Sequence, residues 1–275
     1  MTSTKIVEAL AYINWTVLMG LALGVLALVY MLRQATDATK GFLGFSAFCA
    51  GLLGLLALAS DGSLPNPADL VIAASPQLDQ ARRVVLAVFV VLTLASSFQL
   101  LRGRGVRWLG LSALAAGVAT EAIAALGWAG DALRGVPLLI QMLMLSVVSG
   151  GALGSVVLAH WYLVTPRISE RPLVLTTRLL VWALGLQLLL FLTWQVVGGP
   201  SGPAFSSFTG TQALFVWLRL TVGILFPLTL SYLAYRTALT RSMESATGLL
   251  YIDLAAILAS TIVAAALYYA AALLV

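Results

Sequence analysis

Ile13-Asn-Trp-Thr-Val-Leu-Met-Gly-Leu-Ala-Leu-Gly-Val-Leu-Ala-Leu-Val-Tyr-Met-Leu32 contains no charged side chain. Coiled as an α-helix, with a rise of about 1.5 Å per residue, such a run is about as long as the hydrocarbon core of a bilayer is thick. Seven further apolar stretches follow, and we place the spans at 13–32, 41–60, 84–101, 108–130, 137–164, 173–197, 212–235 and 249–275. A membrane strand would alternate in polarity and stop after about ten residues, so these runs are helices. The segment 61–80, with Pro65, Pro67 and Pro76, reads as a loop carrying a short interfacial helix. The expected fold is an all-α integral membrane protein with about eight transmembrane helices in a single domain, 1–275.

Composition agrees with this reading. Hydrophobic residues make up 61% of the chain and charged residues 9%, with a mean hydropathy of +1.03, more oil than a soluble fold can hide. Eight spans leave no room for an extramembrane domain, and the lipid bilayer is the first partner. The net charge of +5 does not point to nucleic acid, because the arginines stand singly in short loops. The start of the chain, with Glu8 and no small-residue cleavage motif, reads as an uncleaved first helix. Loops after the odd-numbered spans hold Arg33, Lys40, Arg102, Arg104, Arg107, Arg167, Arg171, Arg236 and Arg241, whereas the other side holds only Lys5, Arg82, Arg83 and Arg134. The basic excess belongs in the cytoplasm, so both termini are expected outside, in a membrane of the bacterial inner (cytoplasmic) type.

Two glycine pairs, Gly20 with Gly24 and Gly150 with Gly154, occur in the first and fifth spans, and Ala87-Val-Phe-Val echoes Ala213-Leu-Phe-Val. They raise a four-plus-four duplication, 1–131 and 137–275. The Gly150 and Gly154 strip is also a face through which a second copy of the chain, or another helix, can approach closely.

Ionisable groups in the spans are the strongest functional signal, because a charge there costs about 2.5–3.5 kcal/mol unless it is paired or hydrated. Five qualify: Glu121, His160, Arg178, Arg219 and Asp253. Glu121 and Arg219 are expected at matched depth in the outer half as an ion pair. His160, Arg178 and Asp253 are expected as a second group near the inner ends. The plain alternatives are a bridge that fixes helix register, an Arg178 that snorkels to the headgroups, and a His160 bonded to a neighbour at a helix end. Met142, Ser146, Ser149 and His160 fall on one side of the fifth helix. That polar stripe, with Arg219, reads as a binding surface. Glu121 and His160 are the candidates for proton exchange. Pro227 is expected to kink the seventh span and free a backbone carbonyl.

Several chemistries are excluded. No lysine lies in a span, which removes a retinal Schiff base, and there is no paired-histidine zinc motif, phosphate-cradling loop or rhomboid nucleophile turn. Cys49 alone builds neither a disulfide frame nor a thiolate cluster, and no metal is expected in this chain. A single histidine does not supply two axial imidazoles, so haem is less expected than quinone.

In topology the chain resembles the quinol-interacting membrane anchors of respiratory oxidoreductases, of the polysulfide reductase and dimethyl sulfoxide reductase type. The resemblance implies a haem-free anchor subunit that binds quinone or quinol and exchanges electrons with an iron–sulfur partner. Two other readings stand beside it: a small-solute or ion transporter or channel, and a structural or assembly protein without a ligand.

Overall fold

The structure is a computed structural model and describes residues 3–67, 70–103, 107–165, 168–197 and 204–275, with side chains from Glu8 onward. Eight helices are long and apolar enough to cross a membrane. They are α1 (Ser3–Ala35), α2 (Lys40–Asp61), α3 (Pro76–Leu101), α4 (Arg107–Ala129), α5 (Ala132–Val164), α6 (Arg171–Val197), α7 (Ala213–Leu239) and α8 (Met243–Ala271). Among the described residues there is no strand.

Boundaries follow local chemistry. Thr39 caps α2 by accepting from the Phe42 amide, and Asp131 caps α5 by accepting from the Arg134 amide at 2.8 Å. Pro76 opens α3, where a missing N–H costs nothing. The third helix therefore begins well before the expected residue 84, and Arg82 and Arg83 lie inside it. The described residues between α2 and α3 form turns and extended chain, not the interfacial helix expected there. That segment is tied down by bonds from Ala73 N to the Trp128 carbonyl and from Val71 N to the Tyr269 carbonyl. Its backbone groups are thus paired with helix ends.

Lipid offers no hydrophobic drive for helix association, so close packing has to supply it. Helices α1 and α5 are the most enclosed. Gly24 and Gly150 meet face to face: a Cβ on Gly24 would overlap the Ser146 carbonyl, and one on Gly150 would overlap the Gly24 backbone. Gly154 gives room to Leu28. The glycine pairs that look alike in sequence are therefore the two sides of one internal seam. The Gly150 and Gly154 face expected to receive a second copy is covered by α1 of the same chain, which corrects that expectation. Lipid-facing positions carry exposed apolar side chains, such as Trp182, Leu186 and Leu189 on α6.

The start of α1 and the finish of α8 share one face of the bundle, with Tyr12 and Tyr269 in ring contact at 5.5 Å. This is the outer face in the orientation that the basic residues predict, and it is called so below. The opposite face is tied by Arg241 to Glu170 at 3.0 Å and by Ser169 to Asp37 at 2.8 Å. Arg104, Arg167 and the 198–203 loop lie outside the described residues.

Candidate functional site

Glu121 sits on the buried side of α4, facing α5. The Ser146 hydroxyl lies 2.5 Å from its Oε1 and 3.0 Å from the Met142 carbonyl, while Oε2 has no hydrogen-bond partner. The serine fits because α1 presents Gly20 opposite it, where a Cβ would come within 3.1 Å of Ser146 Oγ. Met142 and Ser149 are buried on the same helix, and the Ser149 hydroxyl is turned back to the Leu145 carbonyl at 2.7 Å. The structure thus brings together Glu121, Ser146 and Met142.

Arg219 lies elsewhere. On α7, the residues Ala213–Leu220 are α-helical, Thr221–Leu225 form a π-helical turn, and Phe226–Leu239 resume the α-helix. The Phe226 amide bonds to the Thr221 carbonyl, five residues back. Pro227 has no N–H to offer the Gly223 carbonyl, as the sequence predicts. The Ser260 hydroxyl of α8 donates to that carbonyl at 2.8 Å instead, and the Ser260 oxygen accepts from Arg219 Nη1. Arg219 Nε donates to the Val275 main-chain oxygen at 3.4 Å, and Nη2 has no partner. The expected Glu121–Arg219 ion pair is therefore not formed: each charge is bonded to a serine of a different helix pair.

The second expected group is also dispersed. His160 and Arg178 are exposed on the outsides of α5 and α6. Asp253 is buried, accepting from the Ser231 hydroxyl at 2.5 Å, with Oδ1 unpartnered. Its partner is a hydroxyl of α7 and not a cation. His160 is exposed although its neighbours Leu158, Ala159 and Tyr162 on α5 are buried.

At the outer end a cavity of about 600 Å³ opens between α5, α6, the 204–212 segment and the finish of α8. Its walls include Leu133, Pro137, Trp194, Gln195, Phe205 and Tyr268. The Trp194 indole N–H donates to Gln141 Oε1 at 3.2 Å. Gln141 in turn donates to the Val275 main-chain oxygen, which also receives Arg219. A connected row of polar groups therefore runs from the cavity wall to the buried guanidinium and on to the opened turn of α7. Gln141 is legible from the sequence only as a cross-helix bonder, and nothing in the local pattern announces that Val275 folds back to meet it.

A charged cluster at the outer end is the main feature the sequence reading missed. Arg82, only 2% exposed, bonds to Asp61 at 2.7 Å and to Asp79 at 2.5 Å, and Arg83 reaches Asp61 at 3.0 Å. The Arg82 guanidinium also lies over the rings of Trp128 and Trp15, at 5.1 and 5.7 Å. The available signal was Arg-Arg within helical reach of Asp79 just after a proline start, which marks a helix beginning rather than a loop. The cluster clamps α2 to α3 and closes the aromatic layer of Tyr12, Trp15, Trp128 and Tyr269.

Eight apolar helices, with buried charges met by hydroxyls or by opposite charges, and a cleft at one end define a multi-pass integral membrane protein. No family model matches the chain, and no curated protein or solved structure matches it.

Proposed function

We propose that the chain is the membrane-embedded subunit of an electron-transfer complex and that it holds a quinone or quinol ring in the outer-end cavity. The observation that carries this reading is the cavity itself. It has the volume of a small-molecule site and a lining that mixes aliphatic and aromatic side chains with polar groups, among them Arg134, Trp194, Gln195, Gln212 and Tyr268. A flat amphipathic ring arriving from lipid fits such walls, and the wall residue Trp194 is held in place by Gln141 behind it. Glu121, buried with a free Oε2, is the group that exchanges protons in this reading. Ser146, with Met142 behind it, fixes the orientation of that carboxyl. The electrons pass to a redox partner, expected to be an iron–sulfur subunit. A bacterial-type inner membrane with both termini outside completes the proposal.

Binding of decylubiquinone to the purified protein, read by fluorescence quenching of tryptophan, tests it. Saturable binding that weakens about tenfold or more in Trp194→Ala supports the reading, since an aromatic wall contributes on the order of one tenfold step. In the assembled complex Glu121→Gln should slow quinol turnover while leaving membrane insertion intact. Absence of quinone binding, together with solute uptake by proteoliposomes, would replace the reading with transport.

A further inference from the structure

Gly110, Gly117, Glu121 and Trp128 fall on one side of α4, and α1 meets that stripe with Tyr30 at Gly110, Leu23 at Gly117 and Trp15 at Trp128. A Cβ on Gly110 would overlap the Tyr30 ring and its hydroxyl, so the glycine makes the place for that hydroxyl. Gly110 stands within a turn of Arg107, where α4 starts, close to the face opposite the cavity. Tyr30 is buried there, and its hydroxyl has no partner.

The hydroxyls of Ser46 and Thr93 are likewise buried without a partner, and the packing places them in the same layer. Phe89 of α3 packs on Gly117, so Thr93, one turn further along, comes level with the buried Ala113, within a turn of Gly110. Gly44 and Gly51 of α2 pack on Leu101 and Leu94 of α3, which sets Ser46 level with Ser96 and Ser97. Those two serines donate to their own helix at 2.9 and 2.8 Å and keep oxygen lone pairs to accept with. Between this layer and Glu121 the interior is closed by Leu23 and the Phe89 ring, which a Cβ on Gly117 would approach to 2.7 and 3.0 Å. Unpartnered polar atoms therefore lie on both sides of one apolar plug: three hydroxyls on one side, Glu121 Oε2 on the other. Such atoms are costly to bury unless water or a ligand meets them.

We propose that Glu121 exchanges its proton with the phase opposite the cavity through this hydroxyl layer, and that Leu23 and Phe89 form the gate between the two. This rests on the reading of Glu121 as the proton-exchanging group and names the side from which its proton comes. A hydroxyl accepts a proton on its oxygen while releasing its own, so a proton entering beside Gly110 is handed through Tyr30, Ser46, Thr93 and intervening water to Glu121 Oε2. One proton moves, every hydroxyl ends as it began, and no other bond changes. Water crosses an apolar constriction only when it widens, so the Phe89 ring keeps the route from being a standing leak.

Transfer of the reconstituted protein from H2O to D2O, followed by the infrared absorption of the protonated carboxyl, reads this exchange and needs no quinone. Glu121→Gln assigns the band, and Asp253→Asn separates it from the Asp253 carboxyl. Tyr30→Phe and Thr93→Val each remove an unpartnered hydroxyl and keep the shape of the side chain, so the fold should hold. Together they should slow exchange at Glu121 about tenfold or more, the effect of losing a hydrogen-bonded step from the barrier. A hydroxyl with no part in the route would leave the rate untouched, as Thr261→Val should, because Thr261 bonds within α8 to the Ile257 carbonyl. Phe89→Ala should speed exchange by a similar factor, and Phe89→Leu, which leaves a smaller void, should speed it severalfold. A Glu121 band that exchanges at the same rate in all these variants overturns the route and leaves Glu121 exchanging by another path. If Glu121 shows no exchangeable carboxyl band, the route and the proton role of Glu121 fall together, while quinone binding is decided separately by tryptophan quenching.

Discussion

Two buried charges in this bundle are held by the same trio of residue types and end in different surroundings. Glu121 meets Ser146, which fits because Gly20 lies opposite, and Arg219 meets Ser260, which fits because Gly223 lies opposite. Around Glu121 the three helices are regular and their backbones approach until glycine is obligatory. Around Arg219 the helix is opened by a π turn, a carbonyl freed by Pro227 needs a side-chain donor, and the guanidinium reaches the main-chain oxygen of Val275. One proline separates a locked seam from an adaptable corner. Backbone saturation, rather than the presence of a charge, decides which buried polar site has room for a ligand.

The largest effect that breaks this comparison comes from the seam. A Cβ at Gly24 would strike backbone, the Ser146 carbonyl, whereas one at Gly223 would strike mainly the Ser260 side chain. Gly24→Leu should therefore destabilise the protein by about 3 kcal/mol or more, and Gly223→Ala by about 2 kcal/mol, the difference between forcing two backbones apart and displacing one serine with its hydrogen bonds. Thermal unfolding in detergent, followed by loss of monodisperse protein, measures both. Equal losses would show that the seam is no more rigid than the corner.

Removing each serine sharpens the contrast. Ser260→Ala strips a donor from the Gly223 carbonyl and an acceptor from Arg219, two groups stranded at once, for about 2–3 kcal/mol. Ser146→Ala strands only the Glu121 carboxyl, for about 1–2 kcal/mol. Pro227→Ala comes next. It restores the N–H that the Gly223 carbonyl lacks, should change stability by less than about 1 kcal/mol, and should lower decylubiquinone affinity severalfold as the corner closes. Unfolding curves and quinone titrations on the same samples separate the two effects.

The spans and their number were legible because lipid imposes one simple requirement, uninterrupted apolar length, on every helix that crosses it. The glycine seam was legible as close approach but not in its partner: Gly150 and Gly154 advertise a neighbour without saying whether it belongs to the same chain. Depth alone failed for Glu121 and Arg219. Matching heights place two side chains in one layer, but contact also needs the two helices to be neighbours, and α4 packs against α3 and α5 whereas α7 packs against α6 and α8. Arg82 was misread for the opposite reason. Its charge argued for a loop, and only the fold shows two carboxylates and two indoles gathered around it.

His160 gives the smallest expected effect and the sharpest control. It lies exposed near the end of α5, away from both serine-held charges and absent from the walls of the outer cavity. Although imidazole chemistry made it the natural proton acceptor in the sequence, an exposed side chain at a helix end contributes through solvation alone. His160→Ala should therefore shift stability by no more than about 0.5 kcal/mol and leave decylubiquinone binding unchanged. A variant that binds quinone normally yet slows quinol turnover would mean that the proton leaves along the outside of α5 toward the face opposite the cavity, and the proton-exchanging role would move from Glu121 to a path the buried seam does not contain.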